Sequence, residues 1–193
     1  MHDTTANNGW PMALGLAVLM AATRSRHFAS MTHLPDASWA VFFLAGFYLR
    51  RVWAFPALLG VAGASDYTAI AWFGVSDFCV SPAYAFLLPA YGALWLAGRW
   101  YARQHQLRFA SLPRLALALV TGAAACELLS SGGFYFFSGR FTETSFIEFG
   151  ARLAKYFPQG LEAMIGYVAA AVLVHLGVAL AVQPAARGAH RAH

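Results

Sequence analysis

Charge is scarce in this chain. Aspartate, glutamate, lysine and arginine make up 11% of its 193 residues, against about 25% in a soluble globular domain. That shortage argues against an ordinary water-soluble fold. Lysine is almost missing: twelve arginines and one lysine set the positive side of a formal net charge of +5, and they fall mostly between apolar stretches. They read as a topology signal rather than a nucleic-acid footprint. The two cysteines, Cys79 and Cys126, fit no C-x-x-C metal or redox spacing. A disulfide between them has no support, because Cys126 falls deep in an apolar run. No Walker motif is present, which excludes ATP hydrolysis by the usual phosphate loop. H-E-x-x-H, G-x-S-x-G, haem-attachment and paired-histidine patterns are also missing. The opening MHDTTANNG lacks the positive start of a cleavable signal peptide.

What the chain has in quantity is apolar residues, 60% of the total. A helix needs about 20 of them to cross a bilayer. Six spans can be drawn, at 10–22, 37–49, 52–73, 82–97, 112–129 and 161–182, followed by a flexible tail at 184–193. The expected fold is an all-α integral membrane protein with six transmembrane helices in a single domain, 1–193. Arg50-Arg51 marks a tight hairpin between the second and third spans. The side that would hold the termini and the second and fourth loops carries eight lysines and arginines, and the other side five. That excess places both termini in the cytoplasm. Loops one, three and five then share the outer face. The fifth contains SFIEFGARLAKYF, whose apolar spacing predicts an amphipathic segment lying over that face.

The versatile side chains gather in these odd loops. Cys79 lies in SDFCVSPAY, a short polar gap between apolar runs. A thiolate there can attack electrophiles or bind a soft metal; a small apolar loop residue is the other reading. Asp66 is a lone acid inside the third span, which marks it for function or for a structural hydrogen bond. Tyr84 opens the fourth span and could equally be an interfacial anchor; Tyr91, Trp95, Trp100 and Tyr101 read as such anchors. His27 is a ligand, a base or a solvated loop residue. His33 lies in THLPDAS, where Asp36 is the expected N-cap of the second span. His175 is expected to hydrogen-bond another helix. Arg152 offers a planar fork to a ligand, or an ion pair to Glu148 one turn earlier. Glu127 and Glu162 could line the same cavity. Ala13, Ala17 and Ala21 recur every fourth residue, a spacing that lets another helix approach closely.

With these residues in view, the stretch GVSDFCVSPAYAFLLPAYGALWLAGRW and the six-span layout resemble the BtuM family of small cobalamin-transport proteins, related to the S-components of energy-coupling-factor (ECF) transporters. The resemblance implies an S-component-like bundle in the bacterial inner membrane that binds cobalamin (vitamin B12) in a pocket of loops 1, 3 and 5. It implies Cys79 as axial ligand to cobalt, with removal of an upper cyanide as a consequence, and His27, Asp66, Tyr84 and Arg152 around the pocket. It also makes the face of Ala13, Ala17 and Ala21 a docking surface for an ECF coupling module. A cysteine-dependent membrane enzyme using Cys79, His27 and Asp66, or an S-component for another vitamin, stays open beside it.

Overall fold

The computed structural model describes residues 9–24, 34–106 and 108–189, with side chains to 178. Within them lie six α-helices and no strand: α1 Gly9–Arg24, α2 Ser38–Tyr48, α3 Ala54–Phe73, α4 Leu87–Gln104, α5 Leu112–Phe137 and α6 Phe146–Ala189. Short 3-10 turns occupy Asp77–Cys79, Pro82–Phe86 and Phe109–Ser111. The all-helical architecture expected from the sequence is present. Two helical stretches, Phe109–Phe137 and Phe146–Val178, are long and apolar enough to cross a membrane.

α2 is the heart of the bundle. Its 11 residues are apolar on nearly every side, and Ser38 and residues 40–46 are buried. A helix without a polar face belongs inside. At 1.5 Å per residue it is about 16 Å long, and it sits against α4, which in turn packs along α5. Two glycines set the α2–α4 distance. A Cβ on Gly46 would collide with the Trp95 carbonyl, and one on Gly98 with the Phe43 carbonyl. Only glycine lets the two backbones come this close. The α2–α3 break falls at residues 49–53, where the Arg50-Arg51 pair interrupts the apolar run.

The two ends of the bundle differ. At one end the start of α1 meets the α2–α3 connection, with Trp10 and Trp53 ring centroids 5.3 Å apart. At the other, α3 stops at Gly74, whose φ of 66° is left-handed and whose N–H returns to the Ala69 carbonyl. That C-cap turns the chain into the loop carrying Cys79. The N-cap of α2 is Ala37 rather than the expected Asp36, which stands one residue before it and accepts from Ser38 N at 2.9 Å. Thr23 Oγ1 accepts from Ala37 N at 3.2 Å and ties α1 to this end.

Three expectations are corrected. The amphipathic stretch of the fifth loop is not a separate segment lying over the face. α5 continues to Phe137, and α6 begins at Phe146 and runs unbroken for 44 residues. Pro158 sits inside that helix. α6 also runs to Ala189, so most of the expected tail at 184–193 is helical backbone; residues 190–193 lie outside the described residues. Finally, Tyr91, Trp95 and Tyr101 are not interfacial anchors but core residues, 5%, 9% and 5% exposed. Much apolar surface nevertheless faces outward, with Trp72, Phe73, Ile147 and Leu173 among the largely exposed side chains.

Candidate functional site

Asp66 is the hub of a polar network at the Cys79 end. The Arg24 guanidinium donates Nε to Oδ1 at 2.6 Å and Nη2 to Oδ2 at 2.7 Å. The Tyr84 hydroxyl donates to Oδ2 at 2.6 Å. From its third nitrogen, Nη1, Arg24 donates to Ser38 Oγ at 2.9 Å and Tyr91 Oη at 2.7 Å. Ser38 Oγ passes the chain on to Asp36 Oδ1 at 2.7 Å. Tyr91 is fixed in turn by stacking on Phe42, centroids 4.3 Å apart and nearly parallel. The planar fork of arginine suits a bidentate carboxylate, and the pair is largely enclosed, with side chains 11% and 28% exposed.

This network joins α1, α2, α3, α4 and the 3-10 turn at 82–86. It shows why a lone acid can sit inside an apolar helix: the charge is matched where it stands. Both Asp66 oxygens are engaged, so Asp66 anchors the loop rather than acting as a free base. Arg24 and Tyr91 were not singled out as site residues. A signal for Arg24 existed, since a lone acid inside an apolar helix calls for a cation and Arg24 is the first one after the first apolar run.

Cys79 stands at the end of the 3-10 turn Asp77–Cys79, as an exposed free thiol; Cys126 is free and buried. The turn is held from several directions. Ser76 Oγ accepts from Phe78 N at 3.2 Å, and Val80 N donates to Asp77 O at 2.8 Å. Arg140, from the α5–α6 connection, donates to Val80 O at 3.4 Å and lies over the Phe78 ring, 5.4 Å from its centroid. Tyr84, five residues on, is fastened to Asp66. The neighbouring Ser81 Oγ is buried with no hydrogen-bond partner.

Arg152 is not part of the Asp66 network. It pairs with Glu148 at 3.0 Å and stacks over the Phe141 and Tyr135 rings at 4.7 and 5.3 Å. Hydrogen bonds from Arg152 and Tyr135 hold the Glu148 carboxyl below its ordinary range. An aromatic run connects this cluster to the cysteine turn: Phe141 meets Phe134 at 5.9 Å, and Phe134 meets Phe78 at 5.6 Å. The connections α1–α2, α3–α4 and α5–α6 thus share one end of the bundle. Tyr167 of α6 adds a bond to Pro35 O at 2.7 Å. His27 and His33 lie outside the described residues. Glu127 is buried in α5 and accepts from Ser131 at 2.6 Å. His175 bonds the Tyr48 hydroxyl of α2 at 3.3 Å, the interhelical bond expected of it. Ala13 and Ala17 are half-buried and pack on the core, while Gly15 beside them is exposed.

Among the described residues no three His, Cys, Asp or Glu side chains come together to hold a metal ion. The arrangement instead offers a single soft donor on a braced loop, flanked by aromatic rings and a cationic cluster. No known protein-family model matches the chain, and no curated protein matches it.

Proposed function

We propose that this chain is a multi-pass protein of the bacterial inner membrane that binds cobalamin at its outer face and mediates its uptake, with Cys79 as the axial ligand to cobalt. The observation that carries the reading is the placement of Cys79: an exposed thiol on a turn fixed through Arg140 and, via Tyr84, through Asp66 and Arg24. A corrin already fills four positions around its cobalt, so the protein needs to supply just one donor. A lone cysteine is enough, and a thiolate is a strong one.

The surroundings suit such a ligand. Phe78, Phe134 and Phe141 give aromatic wall, and Arg140 and Arg152 give donors for peripheral amides. Ser81 Oγ is an orphan that a bound amide would satisfy. In this reading His27 joins the pocket from the first loop. The chemistry is ligand exchange. The Cys79 thiolate gives its electron pair to Co(III), displacing the lower base. The upper cyanide then leaves with its own bonding pair and takes up a proton as HCN. Cobalt keeps its oxidation state.

The membrane reading draws on the two long apolar helices and on outward apolar side chains that water would not tolerate in such number. Six spans with cytoplasmic termini follow from the arginine distribution. Ala13, Ala17 and Ala21 of α1, half-buried in the chain alone, give the small-residue stripe on which the transmembrane subunit of an ECF coupling module would dock.

The test is the visible spectrum of cyanocobalamin mixed with the purified protein. A spectral shift is expected with the native chain and is lost in Cys79→Ala and Cys79→Ser. The same shift in all three proteins overturns both the ligation and the exchange chemistry.

A further inference from the structure

At the end of the bundle away from Cys79, a cavity of about 280 Å³ lies between α2, the start of α5 and α6, beneath the α4–α5 connection. Its walls include Phe43, Phe47, Leu115, Val168 and Val172. The apolar lining continues outward: Phe109 is 91% exposed and Leu112 53%. The volume is small beside the ~300–1,000 Å³ of pockets for drug-sized ligands. A corrin does not fit it, whereas a single narrow chain does.

The polar groups of this cavity come largely from the α4–α5 connection, and one is left without a partner. Ser111 Oγ accepts from Gln106 N at 3.1 Å. The Tyr101 hydroxyl and His105 Nδ1 share a hydrogen bond of 2.9 Å. In the tautomer in which that hydroxyl donates to Nδ1, the imidazole proton lies on Nε2. That nitrogen is buried and has no hydrogen-bond partner, so the cavity carries an N–H donor without an acceptor. Burial and the neighbouring His175, ring centroids 6.1 Å away, push His105 below its ordinary pKa. Arg108 also lines the cavity and forms no ion pair among the described residues.

An apolar slot, a buried N–H donor and an unpaired cation match the three parts of one kind of molecule. We propose that this cavity binds an anionic phospholipid of the inner leaflet, with one acyl chain in the slot, its ester carbonyl on His105 Nε2 and its phosphate on Arg108. Charge complementarity selects this occupant over a zwitterionic lipid or an isoprenoid quinone, because basic residues on the cytoplasmic side attract anionic headgroups; a free fatty acid is anionic too but has no ester carbonyl to offer His105 Nε2 once its carboxylate is on Arg108. The inference rests on the membrane reading above and is independent of cobalamin.

Native mass spectrometry of the full chain, released from micelles holding equal amounts of phosphatidylglycerol, phosphatidylcholine, oleate and ubiquinone, tests it. One phosphatidylglycerol is expected to stay bound at activation energies that strip phosphatidylcholine. Arg108→Gln should weaken its retention about tenfold, the scale of one charge-assisted bond. Ala171→Phe, which fills the slot, should remove the adduct. Arg108 is at the surface, so its variant decides the matter even if the Ala171 variant does not fold. Equal retention of phosphatidylcholine, oleate or ubiquinone overturns the proposal, as does unchanged retention in Arg108→Gln. Cobalamin spectra taken on the same samples keep the two readings apart. A spectral shift without phosphatidylglycerol preference sinks the lipid site alone; the converse sinks the cobalamin reading alone.

Discussion

Arg24 and Asp66, 42 residues apart in sequence, form a two-pronged ion pair with nitrogen–oxygen distances of 2.6 and 2.7 Å. The pair fixes the last turn of α1 against α3 and leaves one arginine nitrogen for Ser38 and Tyr91. It is the main electrostatic tie at the end of the bundle that carries Cys79.

Removing one partner should cost far more than removing both. Breaking an enclosed pair leaves a bare charge, typically worth about 3–5 kcal/mol, whereas replacing both by apolar groups is often near neutral. Arg24→Met is therefore expected to lower thermal stability sharply, and Arg24→Met with Asp66→Leu to recover most of the loss. Thermal unfolding in detergent micelles, followed by circular dichroism, measures both. A double variant as unstable as the single would show that the pair contributes through packing rather than charge.

The two cysteines should differ in reactivity by their burial alone. Cys79 is exposed and Cys126 is 0% exposed. One equivalent of maleimide is expected to react with the folded protein, at Cys79, and a second only on unfolding. A membrane-impermeant maleimide applied to intact spheroplasts should label Cys79 if loops one, three and five face outward. Labelling only after the cells are opened would reverse the topology.

Much of the helix order could be read from the chain, and for identifiable reasons. Arg50-Arg51 interrupts an apolar run, and a break there follows from charge. Asp66 stood out because a lone acid in a span is costly. The extent of α6 was not legible: the last span was expected to begin at 161, whereas the helix starts at Phe146 and runs through Pro158. Tyr91 and Tyr101 were misread because an aromatic ring with a polar tip looks the same whether the hydroxyl meets the membrane interface or another side chain. Only the neighbours, Arg24 and His105, distinguish the cases. The braces on the Cys79 turn involve Arg140, 60 residues away, and no local pattern announces such a contact.

The glycine pair between α2 and α4 should resist even one methyl group. Gly46→Ala meets the Trp95 carbonyl and Gly98→Ala the Phe43 carbonyl, both backbone atoms. Backbone cannot swing aside as a side chain does, so each change forces the helices apart. A loss of about 1–3 kcal/mol or more is expected, read as a lower unfolding temperature. Gly166→Ala, with open space around it, is the control and should change little. Equal behaviour of all three variants would mean that α2 and α4 do not meet in this way.

The Glu148–Arg152 pair predicts an acid-side dependence. A carboxyl whose folded pKa lies below its ordinary 4.5 adds stability that is complete above that value and fades as pH falls through the lowered one. The unfolding temperature of the native chain should drop on acidification below about pH 4.5, and Glu148→Gln should show a shallower drop. Both residues are well exposed, so the difference is small and shrinks with added salt. Parallel curves for the two proteins would show that the pair is without effect on stability.

Tyr84→Phe separates the brace from the ligand. The change deletes the hydroxyl that reaches Asp66 Oδ2 at 2.6 Å and leaves the ring and the Cys79 thiol in place. A hydrogen bond to a charged group contributes about 1.5–3 kcal/mol. If most of that tie serves to hold the loop in its binding geometry, cobalamin affinity should fall by roughly tenfold or more. The spectral shift at saturating protein should keep its shape, because Cys79, the proposed donor to cobalt, is unchanged. Titration of cyanocobalamin with each protein reads both quantities at once. A changed spectrum would place the Tyr84 hydroxyl in contact with the ligand itself, and an unchanged affinity would show that the loop needs no tether to α3.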